Sequence, residues 1–421
     1  MFSNSRILKV KVLILTSNYP RKNAHFNGIF IHQQTKALIE LGVECHVLLL
    51  HNWFPPFGLH KLHPYWKEGK RVYDNYYTEY EGVKIHAVPS YIPIPNFISK
   101  ENHYDRDARS IVQYVQSHRE LMDADWIYAQ FLTVNAYVGA KIKDRLNMKL
   151  AAIARGDDIH AWPEANPLLR RNFPLVFEKT DVLLANSRNL GKDVQKWMTP
   201  NNLREVGVVY NGIDTIKFRP LKDKIEKDEL RNKHALNPAL KYLVCIGTPV
   251  ALKGWNELFE GINKLGSDFN GWTLLAIAPN RSGNDVIDLA MLANQYNITE
   301  KVVIRHDLPL NDIAEVLRAS DAFILASYNE GMANSLLEAM ASGLPCIITE
   351  VGGHNEVIES GEEGILIQPK SVTDIINALK KITSNEALRQ SIGTKARDKM
   401  IQFGDYQVNA RKLLNLLEQH K

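Results

Sequence analysis

Two glutamates, Glu330 and Glu338, are the residues whose types and spacing most directly suggest chemistry. They stand eight positions apart in YNEGMANSLLEAMASGLP, which spans a turn-like stretch and the start of an apolar helix. On one continuous helix they would be rotated by about 80° and would not face one partner. We therefore expect Glu330 in the turn after an apolar strand and Glu338 within the helix that follows. Carboxylates so placed can bind paired hydroxyl groups through charge-assisted hydrogen bonds.

The residues between the two glutamates suit an anionic or hydroxylated ligand. Gly331 allows the backbone to approach a ligand closely. The amides of residues 331–335 would be free at the positive end of the helix, which favours phosphate or sugar hydroxyls. A simpler alternative stays open, because Ser335 and Glu338 fit an S-x-x-E capping box that only closes the helix start. Glu330 could likewise be an ordinary turn residue.

The elements that must position these residues follow an alternating pattern of short apolar runs and helix-like stretches. Because strands that alternate with helices form parallel sheets, the pattern predicts an α/β fold with helices on both faces of each sheet. The predicted strands cover 11–15, 44–50, 126–129, 149–154, 181–186 and 205–212, and then 241–247, 272–278, 301–306, 321–327 and 345–350.

The strand series restarts after a charged stretch at 221–238, which indicates two doubly wound, Rossmann-like domains. We predict an N-terminal domain over 1–217 and a C-terminal domain over 218–400. A last helix over 401–421 is expected to pack back on the N-terminal domain. In such sheets ligands bind beyond the carboxyl ends of the strands, so the predicted site is a cleft between the domains.

One segment, residues 51–80, breaks this rhythm with many aromatic residues and prolines. Long irregular segments inside compact domains are often functional. An acceptor-side loop or a membrane-facing lip is one interpretation, and a packed connecting loop is the other.

Composition narrows the class of protein. The chain has 421 residues and a net charge of +4. Residues 1–210 hold 27 Lys and Arg against 20 Asp and Glu, and the remainder holds 24 against 27. The basic first half fits either a solvated surface or an anionic partner such as a phospholipid. The sequence has no concentrated basic stripe of the kind that indicates nucleic-acid binding. Three widely spaced cysteines suit a reducing cytoplasm.

Several motifs together resemble the retaining GT-B glycosyltransferases of family GT4. The strongest are EGMANSLLEAMASGLP and VGGHNEVIESGEEGILIQP, which carry the two glutamates, Gly-x-Pro and Gly-Gly-x-x-Glu. Weaker similarities are VVYNGIDTIKFRP, DVLLANSRNLGKDV and LTSNYPRKNAHFNGIFIHQQTKAL. The resemblance implies a GT-B fold, in which the C-terminal domain binds a nucleotide-sugar and the N-terminal domain is on the acceptor side.

The resemblance also implies roles for individual residues. Glu330 would hold the donor sugar and face the reacting centre, and Glu338 would accept hydrogen bonds from the ribose. Lys253, in IGTPVALKG, would bind the diphosphate. Further donor-binding residues would be Gly331, Met332, Ala333, Asn334, Ser335 and Thr248. Gly28 and Asp158 are acceptor-side candidates. No cofactor and no catalytic metal are expected.

Two positions depart from the family pattern. Thr248 stands where relatives have an arginine, so one of two usual cations is missing. Arg155, in IARGDDIHAW, stands where relatives often have a histidine. Arg155 could supply the missing cation as a catalytic residue, or it could be an ion-pair partner of Asp157 or Asp158. Arg281 is a further candidate, with a solvated loop arginine as the alternative.

The leading hypothesis is a cytoplasmic, metal-independent hexosyltransferase that uses a UDP- or GDP-sugar and retains the anomeric configuration. Its acceptor would be a glycan or a lipid-linked molecule, in cell-surface polysaccharide synthesis at the inner face of the membrane. The alternative is a catalytically weak GT-B partner subunit that binds nucleotide or glycan. A sugar-nucleotide epimerase would need other acid-base residues. The sequence leaves the sugar, base, acceptor and linkage open.

Overall fold

The computed structural model describes residues 10–25, 27–52, 54–55, 57–90, 103–280, 283 and 285–420. The chain divides into two compact units. Unit 1 comprises residues 1–210 and 409–421, and unit 2 comprises residues 211–408. Each unit is built on one largely parallel β-sheet with helices against it, so the predicted α/β class with two doubly wound sheets is confirmed.

Unit 1 contains an eight-stranded sheet. Its strands are β1 (Lys11–Thr16), β2 (Glu44–Asn52), β3 (Glu79–Tyr80), β4 (Val83–Ser90), β5 (Trp126–Gln130), β6 (Lys149–Ala154), β7 (Val182–Ala185) and β8 (Gly207–Val208). The spatial order is β3-β4-β2-β1-β5-β6-β7-β8, and β3 is antiparallel to β4. The chain order reverses between β1 and β5, which makes their carboxyl ends the switch point of the sheet.

Unit 2 contains a six-stranded parallel sheet. Its strands are β9 (Lys241–Ile246), β10 (Trp272–Ala278), β11 (Val302–His306), β12 (Ala322–Leu325), β13 (Cys346–Thr349) and β14 (Ile365–Ile367). The order β11-β10-β9-β12-β13-β14 reverses between β9 and β12. Strands β10, β12 and β13 are buried along their whole length, as continuous apolar runs in a covered parallel sheet must be.

The helices connect these strands. They are α1 (Ile29–Glu40), α2 (Pro64–Tyr73), α3 (His103–Ser117), α4 (Val134–Leu146), α5 (Asp157–His160), α6 (Trp162–Ala165), α7 (Pro167–Lys179), α8 (Arg188–Gln195), α9 (Lys224–Lys233), α10 (Trp255–Leu265), α11 (Leu289–Gln295), α12 (Leu310–Ala319), α13 (Asn334–Ala341), α14 (Val372–Ser384), α15 (Glu386–Lys399) and α16 (Tyr406–Gln419). None of those described combines the length and apolar character that crossing a bilayer requires.

The segment 51–80 is more regular than the sequence suggests. Residues 64–73 form α2, which begins at a proline, and the His63 side chain accepts a hydrogen bond from the Tyr65 amide, 3.2 Å away. Proline is favoured at the first helical position because its missing N–H has no partner there. The interpretation of this segment as an irregular loop is therefore wrong for residues 64–73.

Candidate active site

Two charged residues meet at the switch point of the unit 2 sheet. Lys253 ends a short 3₁₀ turn that follows β9, and Glu330 lies in the loop that follows β12. The Lys253 Nζ atom donates a hydrogen bond to Glu330 Oε1, and both side chains are largely buried. Because β9 and β12 are neighbours, the fold brings together two residues that are distant in sequence. The contact between Lys253 and Glu330 therefore depends on the order of the strands in the sheet.

The Glu330 carboxylate is held by a second donor. The Ser327 hydroxyl donates to the same Oε1 atom at 2.8 Å. The Ser327 backbone is fixed in turn, because its carbonyl accepts a hydrogen bond from the Thr349 hydroxyl at 2.6 Å. Tyr328, the next residue, donates its hydroxyl proton to Glu257 at 2.6 Å. The loop after β12 is thus tied to β13 and α10, which orients Glu330 before any ligand arrives.

The glycine pair after β13 packs directly against the Glu330 loop. The Gly353 amide donates to the Gly331 carbonyl at 2.7 Å. Gly352 has a φ of +55°, and a Cβ atom there would overlap the carbonyl oxygen of Glu330. Only glycine fits this contact, because any side chain would displace the Glu330 backbone. This gives the Gly-Gly-x-x-Glu motif a structural role in holding the first glutamate.

His354 lies under this loop and is fully buried. Its Nδ1 atom is 2.9 Å from the carbonyl oxygen of Thr349, so Nδ1 carries the proton. Its Nε2 atom is buried without a protein hydrogen-bond partner in the described structure. Burial lowers the pKa of His354, although the nearby charge of Glu330 acts in the opposite direction. A neutral imidazole therefore lies close to the Lys253–Glu330 pair.

Helix α13 carries the second glutamate. It begins at Asn334, and its N-cap residue, Ala333, offers no side-chain hydrogen bond. Ser335 is already inside the helix, so the capping-box alternative for Glu338 is wrong. The first amides of a helix lack partners within it, which leaves those of Asn334 and Ser335 for other acceptors. Met332 and Ala333 are buried, and the Asn334 side-chain oxygen accepts a hydrogen bond from Asn211 at 2.8 Å.

Glu338 is buried on α13, with 7% of its surface exposed. Burial raises the pKa of its carboxyl to about 8, although the charge of Lys217 acts in the opposite direction. A carboxyl group in this position is protonated at neutral pH unless a ligand supplies hydrogen-bond donors.

A cavity of about 490 Å³ opens at the same edge of the sheet. Its walls come from the segments that follow β9 and β10, from the start of α11 and from β11. Pro249, Ile287, Leu289 and Ile304 contribute apolar surface, and Asn280, Asp288 and His306 contribute polar groups. Its volume is within the range of pockets for small organic ligands.

Thr248 is half-buried at the end of β9. Its backbone carbonyl accepts hydrogen bonds from the Trp255 indole at 2.9 Å and from the Val250 amide at 2.9 Å. These contacts use the backbone and fix the turn that presents Lys253. The threonine side chain supplies no cation, so Lys253 is the positive group that the structure places at Glu330. Arg281 lies outside the described residues.

Arg155 belongs to unit 1, where it follows β6 near the switch point. Its guanidinium is buried and donates to the Gln130 side-chain oxygen at 2.6 Å and to the Gln34 oxygen at 3.0 Å. It also lies 5.0 Å from the ring centre of Phe30. Burial lowers its pKa, and electrostatic interactions with Tyr128 and Asp158 act in the opposite direction.

The two acceptor-side candidates flank this cluster. Asp158 is fully buried and accepts backbone hydrogen bonds from Leu132 at 2.6 Å and from Arg155 and Gly156 at 2.9 Å each. Burial raises the pKa of Asp158, and these amide donors oppose the shift. Gly28 caps α1 with a φ of +57°, and a Cβ there would collide with the carbonyl of Asn18. Both residues thus shape the backbone around the switch point.

One group of potential metal ligands occurs in the described structure, formed by His234, Asp312 and Glu315 with ligand atoms within 4.8 Å of one another. The Glu315 carboxylate already pairs with Lys233 at 2.6 Å and with His234 at 2.7 Å. The group lies at the end of α9 and on α12, away from the loops that follow β9 and β12 in the chain.

Sequence reasoning assigned no role to Ser327 or His354. Ser327 directly precedes the Tyr-Asn-Glu-Gly turn, and a hydroxyl three residues before a key carboxylate is a signal that could have been used. His354 stands within the quoted Gly-Gly-His-Asn-Glu motif, but its burial depends on contacts with β13. The cavity beyond β10 and β11 had no sequence signal of its own.

Comparison with known proteins gives a family match for part of the chain and relatives over most of it. Residues 226–399, which lie within unit 2, match the family described as glycosyl transferases group 1. N-acetyl-alpha-D-glucosaminyl L-malate synthase of Bacillus anthracis is 26% identical over 376 residues, covering 88% of each chain. The putative teichuronic acid biosynthesis glycosyltransferase TuaC of Bacillus subtilis (strain 168) is 25% identical, covering 88% of this chain and 89% of TuaC.

Solved structures show the fold. Sucrose-phosphate synthase from Thermosynechococcus elongatus superposes with a TM-score of 0.76 at 16% identity, covering 98% of this chain and 99% of that one. HepE of Anabaena, in complex with UDP-glucose, gives a TM-score of 0.72 at 16% identity, covering 97% and 99%.

The chain therefore has the GT-B fold of these solved structures. Residues 226–399 match the glycosyl transferases group 1, and this match confirms the family resemblance seen in the sequence.

Proposed function

We propose that this chain is a retaining hexosyltransferase that moves a sugar from a UDP- or GDP-sugar to a glycan or lipid-linked acceptor. The observation that carries the proposal is the Lys253–Glu330 pair at the switch point of the unit 2 sheet, supported by Ser327. Charged groups held at the carboxyl ends of these strands, beside the start of a helix, suit a ligand that has both phosphates and hydroxyls.

In this proposal Lys253 and Glu330 are partners only until the donor binds. Lys253 then binds the diphosphate, and Glu330 accepts hydrogen bonds from the hydroxyls of the donor sugar, so each charged group exchanges one partner for another. Lys253 then stabilises the negative charge that develops on the leaving diphosphate. The amides at the start of α13 bind phosphate or sugar oxygen atoms, and Glu338 accepts hydrogen bonds from the ribose.

The donor class is supported by named relatives. HepE structures hold UDP and UDP-glucose, and a galactosyltransferase of Escherichia coli that uses UDP-Gal is 29% identical over 198 residues. That enzyme is named for an acceptor on diphosphoundecaprenol, and TuaC is named for teichuronic acid biosynthesis. These names favour a role in polysaccharide synthesis on a lipid-linked acceptor. We propose that this synthesis supplies the cell surface and takes place at the cytoplasmic side of the membrane.

We propose further that transfer needs no metal ion or cofactor, because Lys253 and the helix amides supply the positive groups. The test is incubation of the purified chain with UDP- and GDP-sugars, with and without a chelator. We expect release of nucleoside diphosphate from one donor, equal rates in both conditions, and a product whose anomeric configuration, read by NMR, matches the donor. Inversion of configuration would refute the retaining mechanism, and loss of activity with chelator would refute metal independence.

The second candidate is a binding partner with little activity of its own. Thr248 favours it, because a threonine supplies no charge where relatives have an arginine. This candidate predicts that nucleotide binds by calorimetry while no donor is hydrolysed or transferred. The same experiment therefore separates the two functions, because nucleotide release above that of a Glu330→Gln control supports an enzyme.

A further inference from the structure

Part of unit 1 presents an unusual run of exposed apolar side chains. Residues 57–73, called the 57–73 segment below, comprise a left-handed turn, a 3₁₀ turn (Leu59–Leu62) and α2. Phe57 is 98% exposed and Leu62 is 75% exposed. Five of the fourteen large apolar side chains that are exposed in the described structure fall within these 17 residues, namely Phe57, Leu59, Leu62, Tyr65 and Tyr73. Single exposed apolar residues are ordinary, but a cluster indicates an interaction surface.

The backbone holds the first of these side chains outward. Phe57 has a φ of +56° and Gly58 a φ of +81°, so two successive residues are left-handed. This conformation costs roughly 1–2 kcal/mol for a residue other than glycine. A strained backbone that fully exposes a phenylalanine gains nothing for the fold from that side chain. The observation therefore points to a contact outside the chain.

The segment is anchored from behind. The Tyr73 ring lies 4.7 Å from the His51 ring and 5.4 Å from the Phe54 ring, measured between ring centres. The Lys70 ammonium lies 5.7 Å from the centre of the Phe54 ring. An aromatic cluster at the end of β2 therefore fixes one face of the 57–73 segment, while the apolar side chains before and at the start of α2 point to solvent.

The charge of the segment indicates what it contacts. It contains four Lys or Arg residues and one acid, Glu68. Arg71 is paired with Glu68 at 2.7 Å, and Lys70 is paired with Asp74. Within the described structure Lys61 and Lys67 are exposed and make no ion pair. Two exposed lysines in the same segment as Phe57, Leu62 and Tyr65 match the surface of an anionic bilayer, where apolar side chains enter the interface and lysines meet lipid phosphates.

We propose that the 57–73 segment docks on an anionic lipid surface. Helix α2 then has two roles, because its residues Glu68, Gly69 and Val72 also line a cavity of about 250 Å³ beyond the carboxyl ends of β1 and β2. A lipid-linked acceptor that enters from the bilayer reaches this cavity along one helix. The lipid-linked class of acceptor rests on the proposed transferase function, whereas docking does not.

The test measures binding of the purified chain to vesicles, without any donor. One set contains phosphatidylcholine alone, and the other contains equal parts of phosphatidylcholine and phosphatidylglycerol. We expect binding to the anionic set only, weakening as salt is added. The Lys61→Gln/Lys67→Gln double variant should bind about 25-fold more weakly, at roughly fivefold for each charge. Its matched control, Lys192→Gln/Lys224→Gln, removes two exposed lysines elsewhere and should bind as the parent chain does.

A second pair of variants tests the apolar side chains. The first is Phe57→Asn/Leu62→Asn, because asparagine tolerates the left-handed backbone. Its control is Met122→Asn/Leu203→Asn, at two exposed apolar positions outside the segment. We expect loss of vesicle binding in the first variant only, with unchanged melting temperatures in both. Absence of binding by the parent chain, equal binding by both variants, or a dimer that the first variant dissociates would overturn the proposal. Nucleotide release by the variants is measured separately, so a failed transferase assignment leaves the docking result readable.

Discussion

Glu338 provides a test of the donor site that does not need the acceptor. Its pKa is raised to about 8 by burial, whereas an ordinary glutamate titrates near 4.5. Between these pH values the folded protein holds a proton that the unfolded chain has lost. The free energy of unfolding contributed by this group is therefore fully present below about pH 4.5 and is lost as the pH rises through about 8.

The magnitude follows from the pKa difference. Each unit of pKa corresponds to roughly 1.4 kcal/mol, so the wild-type protein should lose on the order of 3 kcal/mol between pH 5 and pH 8 through this one group. Glu338→Gln keeps the shape but cannot ionise. We expect the variant to lack this loss, and so to gain stability relative to wild type as the pH rises. Denaturant unfolding at several pH values measures the difference.

Nucleotide binding should lower the pKa of Glu338, opposite to the effect of burial. If ribose hydroxyls donate to Glu338, they favour its ionised form, and nucleotide binding near pH 7 should release nearly one proton. Calorimetric titration with UDP and GDP, in two buffers of different ionisation enthalpy, measures that release. Glu338→Gln should bind more weakly and release no proton, and the exposed control Glu300→Gln should match wild type.

Two results would refute this reasoning. Equal pH dependence of unfolding in wild type and Glu338→Gln would show that burial does not hold the proton. Proton release that persists in the variant would assign the release to another group and remove Glu338 from the ribose site.

Three further predictions concern the same two units. Glu330→Gln should fold normally but lose one charged hydrogen bond to the donor, worth roughly 1.5–3 kcal/mol, so the rate of transfer should fall about ten- to 150-fold. The control is Glu315→Gln, which breaks an ion pair on α12. Wild-type turnover in Glu330→Gln would contradict the assignment. Gly352→Ala should abolish activity and lower the melting temperature, because its Cβ meets the Glu330 carbonyl, whereas Gly361→Ala, with φ of +94° and open space, should show only the backbone cost of roughly 1–2 kcal/mol. Arg155→Ala should lower stability, because Gln34 and Gln130 lose a buried partner. If Arg155 also replaces the cation missing at Thr248, adding Thr248→Arg to this variant should restore part of the lost transfer activity. A loss of activity that only follows unfolding would rule out this replacement.

Much of the fold was readable from local patterns. Continuous apolar runs separated by helical stretches predict covered parallel strands, because period and burial are recorded in adjacent residues. The start of α13 and the turn position of Glu330 were predicted in the same way. Strands β3, β4 and β14 were missed, and α2 was hidden by its aromatic residues and flanking prolines.

Only the tertiary structure decided which of these residues touch. Lys253 and Glu330 are 77 positions apart, and they meet because β12 pairs with β9 rather than with β11. Arg155 reaches Gln34 across 121 positions, because the sheet of unit 1 places β1, β5 and β6 side by side. Strand order and burial depend on contacts between distant segments. For that reason the raised pKa of Glu338 and the exposure of Phe57 could not be read from the residues themselves.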